Sequence, residues 1–302
     1  MKLVLNFQPR IWVIISSLIL AGCAGKNSSS STEQTFSSWS ATTPSKITNF
    51  TSGNATTVLV NGTIQQTYSN VTAVTNFDVS RNLIAVTLRQ SNSNSISYSI
   101  LNGDTIVKDS TNNNFVLTNN RSTTIGIIAN PFNYGFEYQT YGSWGNMGTV
   151  GANSNAVSIG NLTPITNMPI SGTATYSGGS NGYYVAGGFS YITSASMVAN
   201  VDFSSKTITF NTSDTKVIGA VNGAVSSNPA LNLSGTMTFG PNSNLATGNV
   251  TTNGVIFNGT LINNLSGSII GNFYGPNANE FGGTYGLRKS GETFVGGFGG
   301  KR

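Results

Sequence analysis

Short stretches in which apolar and polar residues alternate run along most of this chain. VTLRQ (86–90), ISYSI (96–100) and ITFNT (208–212) are examples. Such alternation is typical of β-strands that bury one face, and we find no sustained run of apolar residues at helical spacing. Turn-forming pairs separate the segments, among them Asn61-Gly62, Asn102-Gly103 and Asn222-Gly223. The pattern predicts an all-β protein, built as a sandwich or a barrel.

Glycine divides the chain into two parts. Of its 36 glycines, 24 follow residue 165, where they punctuate about eight to ten short β segments such as LSGTMTFG and GSIIGNFYG. Glycine within strands permits the coiling and bulges that barrel closure requires. We therefore predict one β-rich domain over residues 47–165 and a closed barrel over residues 166–302. Because the segments are short and polar, a soluble barrel is favoured over a membrane-spanning one.

The first residues predict export from the cytoplasm. Two positive charges, Lys2 and Arg10, precede an apolar run of about ten residues at 11–20. That run is too short to span a bilayer, which needs about 20 apolar residues, but it suits a signal peptide over residues 1–22. The sequence LAGC, ending at Cys23, resembles the lipobox of bacterial lipoproteins. The alternative is an ordinary signal peptide followed by a chance cysteine.

The lipobox resemblance implies that Cys23 becomes the first residue of the exported protein and carries acyl chains such as palmitate. Residues 23–46 are polar and rich in Ser and Thr, which predicts a lipidated flexible tether. Trp39 lies within it and either packs on the first domain or contacts a ligand. Since no acidic residue follows Cys23, the expected location is the bacterial outer membrane, lipid-anchored and exposed at the cell surface.

Composition excludes several functions. Only 8% of the residues are charged, and there is no histidine and a single cysteine. Histidine-activated nucleophiles and Cys/His zinc sites therefore have no residues to form them, and the nine acidic residues are scattered. Lys and Arg do not cluster, which argues against nucleic-acid binding. We predict no enzymatic activity, no metal and no cofactor, with haem binding weakened by the missing histidine.

One aromatic segment has the character of a binding site. In PFNYGFEYQTYGSWG (131–145), aromatic residues recur at every second position from Phe132 to Tyr138, which predicts one face of a strand. Tyrosine and tryptophan are favoured at interfaces. The candidate ligand-binding residues are Tyr134, Tyr138, Tyr141 and Trp144. The alternative is that this strand supplies the core of the first domain. The loop Asp109–Asn114 is a further candidate, since binding residues commonly lie on loops.

A more specific pattern occupies the last 36 residues. It runs G-x-F-Y-G-P-x-A-x-E-x-G-G and ends in a phenylalanine-containing strand near G-G-K-R. The matching positions are Gly271, Phe273, Tyr274, Gly275, Pro276, Ala278, Glu280, Gly282, Gly283, Phe294, Phe298, Lys301 and Arg302. This pattern resembles the C-terminal β-barrel of transferrin-binding protein B and its relatives. Residues 168–178 resemble the first barrel strand of that family, 199–203 resemble its A-x-x-D-F strand, and 136–145 resemble the end of its handle domain.

The resemblance implies a β-rich handle domain followed by a soluble eight-stranded antiparallel β-barrel. It also implies a surface lipoprotein that binds a host protein or a haem-type ligand, together with an outer-membrane receptor or translocon. Iron acquisition is the leading expectation. Recruitment of a host complement regulator, or an adhesive role without a soluble ligand, are the alternatives. The motif residues themselves are expected to serve the fold, with Glu280 bonded to backbone at its own turn.

Overall fold

A computed structural model describes residues 38–39, 48–60, 63–90, 95–111, 113–147, 154–219, 224–257, 260–262 and 264–302. The described residues from Ser38 onwards belong to one compact unit. The signal peptide, Cys23 and most of the predicted tether lie outside the described residues. In the described part of the chain, no helix is long and apolar enough to cross a membrane.

Nine antiparallel strands form the first sheet, which we call the handle sheet. The strands are β1 (Thr48–Val60), β2 (Thr63–Phe77), β3 (Leu83–Gln90), β4 (Ser95–Ser99), β5 (Thr105–Lys108), β6 (Asn114–Thr118), β7 (Thr124–Ala129), β8 (Gln139–Asn146) and β9 (Ser154–Gly160). Their spatial order is β4-β3-β2-β1-β9-β8-β7-β6-β5. Two meanders, β1–β4 and β5–β9, are thus joined where β1 pairs with β9, with Thr56 opposite Val157.

The second sheet contains the barrel. Its strands are β10 (Thr173–Ala186), β11 (Phe189–Asp202), β12 (Thr207–Gly219), β13 (Val225–Ser227), β14 (Leu233–Phe239), β15 (Leu245–Thr252), β18 (Ser266–Tyr274), β19 (Glu280–Lys289) and β20 (Glu292–Lys301). Eight of these close in a ring, because β11 pairs with β12 and β20 pairs with β10. The short β13 extends from β12 outside the ring. A separate hairpin is formed by β16 (Val255–Phe257) and β17 (Thr260–Ile262).

Helices are short. An α-helical turn, α1, spans Pro131–Tyr134, and 3₁₀ turns span Ile100–Asn102, Ile165–Asn167 and Pro229–Leu231. The scarcity of strong helix formers and the frequency of Asn, Ser, Thr and Gly explain why none extends further.

Aromatic side chains fill the barrel. The Phe273 ring is fully buried. Its centroid lies 4.9 Å from the ring centroid of Phe281, 5.3 Å from that of Phe239 and 5.6 Å from that of Phe203. Farther along, Phe298 packs against Phe210 at 4.7 Å. An eight-stranded barrel has an interior that side chains can just fill. Ligand binding is therefore expected on the outside of this barrel rather than within it.

Burial follows the predicted alternation on part of the barrel and departs from it elsewhere. Along β11, Met197, Ala199 and Val201 are buried, whereas Val198 and Asn200 between them are exposed. From Glu280 to Leu287 of β19, every residue is buried. The reason is that the handle sheet covers the outer face of this strand while the barrel core covers its inner face.

The predicted fold class is confirmed, since the chain is almost entirely β and its eight-stranded antiparallel barrel is closed. Two details differ from the sequence predictions. The barrel strands are longer than expected, with 14 residues in both β10 and β11. The first barrel strand, expected at 168–178, begins at Thr173. The domain boundary at residue 165 stays a prediction, and it falls between the end of β9 and the start of β10.

Candidate functional site

The aromatic segment 131–145 does not form the continuous strand that its alternation predicted. Asn130 caps α1 by accepting a hydrogen bond from the backbone N–H of Phe132 at 3.2 Å, and Pro131 occupies the first helical position. Gly135 then ends the turn with a φ of 65°, in the left-handed region. A capping Asn, a Pro at the first position and a terminal Gly form a strong local helix signal. This signal overrides the period-two pattern, so β8 begins only at Gln139.

The structure brings together some of the four candidate ligand-binding residues. Tyr134 and Tyr141 are neighbours, with ring centroids 6.2 Å apart. Tyr141 is fully buried and Trp144 is nearly so, and both belong to the hydrophobic core of the handle sheet. Burial raises the pKa of the Tyr141 hydroxyl well above its usual range. Tyr134 and Tyr138 are only partly buried. Packing of this segment in the handle core, the alternative reading of the sequence, therefore accounts for Tyr141 and Trp144.

Trp39 also belongs to this core, which is the first of the two roles that the sequence left open for it; the tether over residues 23–46 stays a prediction. Its side chain is 1% exposed, and its indole Nε1 donates a hydrogen bond to the carbonyl oxygen of Gln139 at 2.8 Å. The ring also lies edge-on to Phe77 and Phe132. An indole both buried and hydrogen-bonded is well anchored.

Glu280 connects the barrel to the handle. Its carboxylate accepts hydrogen bonds from the backbone N–H of Glu137 at 2.5 Å and of Tyr138 at 3.2 Å. Glu280 therefore bonds to backbone as expected, but at the segment preceding β8 and not at the turn, because its side chain points outward from the barrel. Burial raises the pKa of Glu280 from 4.5 to about 7, against the opposing effect of these backbone hydrogen bonds.

Two more side chains cross the same junction. The amide Nε2 of Gln139 donates to the carbonyl oxygens of Phe281 at 3.1 Å and Gly300 at 3.0 Å. Nζ of Lys301 donates to the carbonyl oxygen of Gly135 at 3.2 Å. Sequence reasoning missed Gln139, since a single Gln at the start of a strand gives no signal of its partners. Together these contacts fix the handle sheet against the barrel.

Glycines in the barrel motif make this contact possible. A Cβ at Gly282 would collide with Oε1 of Gln139, and one at Gly275 would lie 2.5 Å from Cδ2 of Tyr138. Gly275 also adopts a φ of 82°, which disfavours any side chain. The expected roles of Phe273 and Phe294 in the barrel core agree with their burial. The motif thus serves the barrel core and the handle junction.

The barrel end formed by the β10–β11 and β19–β20 hairpins carries an exposed aromatic residue. Phe189 follows a two-glycine turn and is 65% exposed, and Val225 of β13 is 51% exposed. Phe189 lies opposite Ala186, two residues from Tyr191, which lies opposite Tyr184. Because Tyr184 and Tyr191 pack on the barrel core and residues two apart share a face, Phe189 continues this inward-facing row past the end of the barrel. The exposed Lys289 lies at the tip of the neighbouring hairpin.

Comparison with known proteins assigns the barrel to a family. Residues 168–302 match the family described as the C-lobe and N-lobe β barrels of Tf-binding protein B. The barrel belongs to the transferrin-binding protein B-like family. Proteins of this family are binding proteins and not enzymes, so the prediction of a binding function over an enzymatic one is confirmed at the level of the family.

Solved structures of such proteins are similar to this chain. A variant of transferrin binding protein B from Haemophilus parasuis Hp5 has 17% identity and a TM-score of 0.45, with 80% of this chain and 53% of that chain covered. Isotype 1 transferrin binding protein B from serogroup B Neisseria meningitidis has 13% identity and a TM-score of 0.40, with 86% of this chain and 77% of that chain covered. The N-lobe domain of lactoferrin binding protein B from Moraxella bovis has 13% identity and a TM-score of 0.35, with 55% of this chain and 76% of that chain covered.

This chain spans about half the length of the H. parasuis protein. Because all three TM-scores are below 0.5, no residue's role is transferred from these structures. A search of curated protein sequences finds no match to this chain.

Proposed function

We propose that this chain is a surface lipoprotein that captures a host protein or an iron-containing ligand and presents it to an outer-membrane partner. The observation that carries the proposal is the match of residues 168–302 to a family of binding-protein barrels. The handle junction supports it, because Glu280, Gln139 and Lys301 hold the two sheets as one scaffold. Binding usually depends on loops and turns carried by such a rigid scaffold.

Anchoring belongs to the same proposal. Cleavage after residue 22 and acylation of Cys23 would tether the protein to the outer membrane, with a translocon carrying it to the cell surface. More than one acyl chain gives a stable anchor. Replacing Cys23 with Ala should abolish incorporation of labelled palmitate and release the protein from the membrane fraction. Retention of label in this variant would contradict the anchor.

The proposed docking surface for a host protein is the barrel end that carries Phe189, Val225 and Lys289. Aromatic residues are enriched among those that contribute most to protein interfaces, and exposed apolar side chains beside a cation match the mixed character of such surfaces. Tyr134 and Tyr138 remain candidate contact residues, since both are partly exposed. Tyr141 and Trp144 enter the proposal as residues that hold the handle sheet in shape.

A haem-type ligand is less well supported by the sequence and the structure than a protein ligand. The chain has no histidine to ligate the iron, and aromatic rings occupy the barrel core. A protein ligand needs neither an axial ligand nor an internal cavity.

The test is capture from host fluids. The purified full chain is immobilised, exposed to plasma and to red-cell lysate, and the retained proteins are identified by mass spectrometry. Retention of an iron carrier supports the proposal, whereas retention of a complement regulator would reassign the function to immune evasion. If nothing is retained, the host-protein reading fails and an adhesive role remains.

Variants locate the docking surface in the same assay. Phe189→Ala should reduce retention at least tenfold, because truncating a central aromatic contact commonly costs about 2 kcal/mol or more. Val198→Ala is the matched control, since Val198 is an exposed apolar residue, at 38%, on the barrel wall. Equal retention by wild type and Phe189→Ala would place the docking surface elsewhere.

A further inference from the structure

A polar cleft lies where the loop Asp109–Asn114 and Tyr134 of α1 face the outer wall of the barrel. Its volume is about 460 Å³, within the range of small-molecule sites. The barrel side is provided by β11 and β12. The lining includes Asn113, Tyr134, Ser194, Ser196, Asp214 and Lys216. The cleft is thus bounded mainly by amide, hydroxyl and charged groups, with one aromatic residue.

The barrel wall is irregular at this cleft. The pairing of β11 with β12 shifts register between Ser194 and Ser196, which marks a β-bulge. On the opposing strand, Asp214 has a φ of 55°, in the left-handed region that few residues with side chains adopt. Bulges and such backbone conformations are over-represented next to binding sites, where they re-aim side chains. Asp214 is exposed here, and Lys216 is two residues away on the same strand.

Asp214 also differs from the other aspartates in the described residues. Asp78, Asp109 and Asp202 each accept hydrogen bonds from backbone N–H groups of their own turns, and Asp104 accepts from Ser99 and Asn120. Among the described residues, the Asp214 carboxylate accepts a hydrogen bond from the hydroxyl of Ser213, at 3.4 Å, and from no backbone N–H. Its hydrogen-bonding capacity is therefore not consumed by the fold.

The opposite side of the cleft is held in a fixed conformation. Oδ1 of Asp109 accepts hydrogen bonds from the backbone N–H groups of Thr111 and Asn113, at 3.1 and 3.0 Å, and Oδ2 accepts from the amide of Asn114 at 2.7 Å. Residues held in this way, here Thr111, Asn113 and Asn114, lose little conformational entropy when a ligand binds.

We propose that this cleft binds an uncharged sugar. A sugar presents closely spaced hydroxyls that both donate and accept hydrogen bonds, and serine hydroxyls and an asparagine amide can meet them in either sense. Asp214 accepts from sugar hydroxyls and Lys216 donates to them, and the two charges cancel. The lining contains no Leu, Ile, Val, Met or Phe, the side chains that would pack against a lipid or haem. Its single Lys is matched by a single Asp, so it lacks the excess of positive charge that a polyanion would need. This cleft adjoins the barrel end proposed to dock a host protein, since Ser227 lines it two residues from Val225 on β13, but Phe189 and Lys289 do not line it.

The test uses saturation-transfer difference NMR on the purified full chain with the methyl glycosides of glucose, galactose, mannose and N-acetylglucosamine. We expect at least one sugar to receive saturation and to bind about tenfold more weakly to Asp214→Asn and to Lys216→Met, each of which loses one charge-assisted hydrogen bond. Asparagine tolerates the left-handed conformation, so Asp214→Asn should fold. Ser196→Trp should block the cleft by bulk.

Asn211→Ala, an exposed residue on the same strand and outside the cleft, is the matched control and should bind as wild type does. If none of the four sugars receives saturation, the proposal is overturned. It is also overturned if the signal persists undiminished in both Ser196→Trp and Lys216→Met. Either result leaves capture of a host protein through Phe189 untouched, because Phe189 does not line the cleft.

Discussion

The carboxylate of Glu280 in the barrel accepts a hydrogen bond from the backbone N–H of Glu137 at 2.5 Å, although 143 residues separate the two along the chain. Glu280 is 2% exposed, and burial raises its pKa to about 7. The contact between handle and barrel therefore includes a group that changes charge close to neutral pH. The pH dependence of the unfolding free energy therefore reports on the environment of Glu280 at this junction.

The first prediction concerns the pH dependence of stability. Because the pKa of Glu280 is higher in the folded state than the ordinary 4.5, the unfolded chain loses its proton first as pH rises. The stabilisation is complete below pH 4.5 and is lost as pH rises through about 7. The loss is at most about 3 kcal/mol. Urea unfolding at a series of pH values should show this fall in wild type.

Glu280→Gln removes the titrating group, so its unfolding free energy should vary less over the same pH range. Glu292→Gln serves as the control, because this variant retains Glu280 and should keep the wild-type pH dependence. Parallel curves for wild type and Glu280→Gln would show that another group causes the effect.

The second prediction concerns the close approach of Gly282 and Gln139. Gly282→Ala would force the buried Gln139 side chain out of position and should lower the unfolding free energy by about 1–3 kcal/mol. Gln139→Ala alone should also destabilise, since the carbonyl oxygens of Phe281 and Gly300 lose a donor. In the double variant the two effects should be less than additive, because the collision with Gln139 disappears and only the 2.9 Å approach of the new Cβ to the carbonyl oxygen of Phe298 remains. Strict additivity in the double-mutant cycle would mean that the two residues do not interact.

The third prediction concerns Trp39. Trp39→Ala should reduce the unfolding free energy by about 3–5 kcal/mol, the usual effect of truncating a buried aromatic residue. Trp39→Phe should cost less, since it preserves much of the packing and loses the hydrogen bond to Gln139. Leu101→Ala is the control, because Leu101 is 89% exposed and its truncation should have little effect. Denaturant unfolding measures all three, and an unchanged midpoint for Trp39→Ala would contradict the packed position of this residue.

The fourth prediction separates phenylalanines of the barrel core from the exposed one. Phe273→Ala should destabilise the protein by about 3–5 kcal/mol, because it leaves a cavity at the centre of an aromatic cluster. Phe189→Ala should change stability by less than about 0.5 kcal/mol, as expected for an exposed side chain. Thermal unfolding of the two variants measures the difference. A large loss of stability in Phe189→Ala would remove it as a clean probe of ligand capture.

The sequence by itself determined the class of the fold. Strand alternation, turn pairs and the glycine distribution predicted an all-β chain with a barrel in its second half, because side-chain period and turn chemistry are local properties. The motif from Gly271 to Gly283 pointed to the family because it, too, is a local pattern. It encodes a close-packed turn whose residues are constrained in a fixed order.

Only the tertiary structure decided what the conspicuous residues do. The alternation from Phe132 to Tyr138 is interrupted by α1, and Tyr141 and Trp144 are buried in the core of the handle. Gln139 and Glu280 acquire their roles from contacts made across more than 140 residues of chain. The cleft at Asp214 likewise arises from a loop, a helical turn and a bulge that are distant in sequence. A sequence pattern reports the preferences of neighbouring residues, whereas these sites depend on which surfaces meet when the two sheets pack.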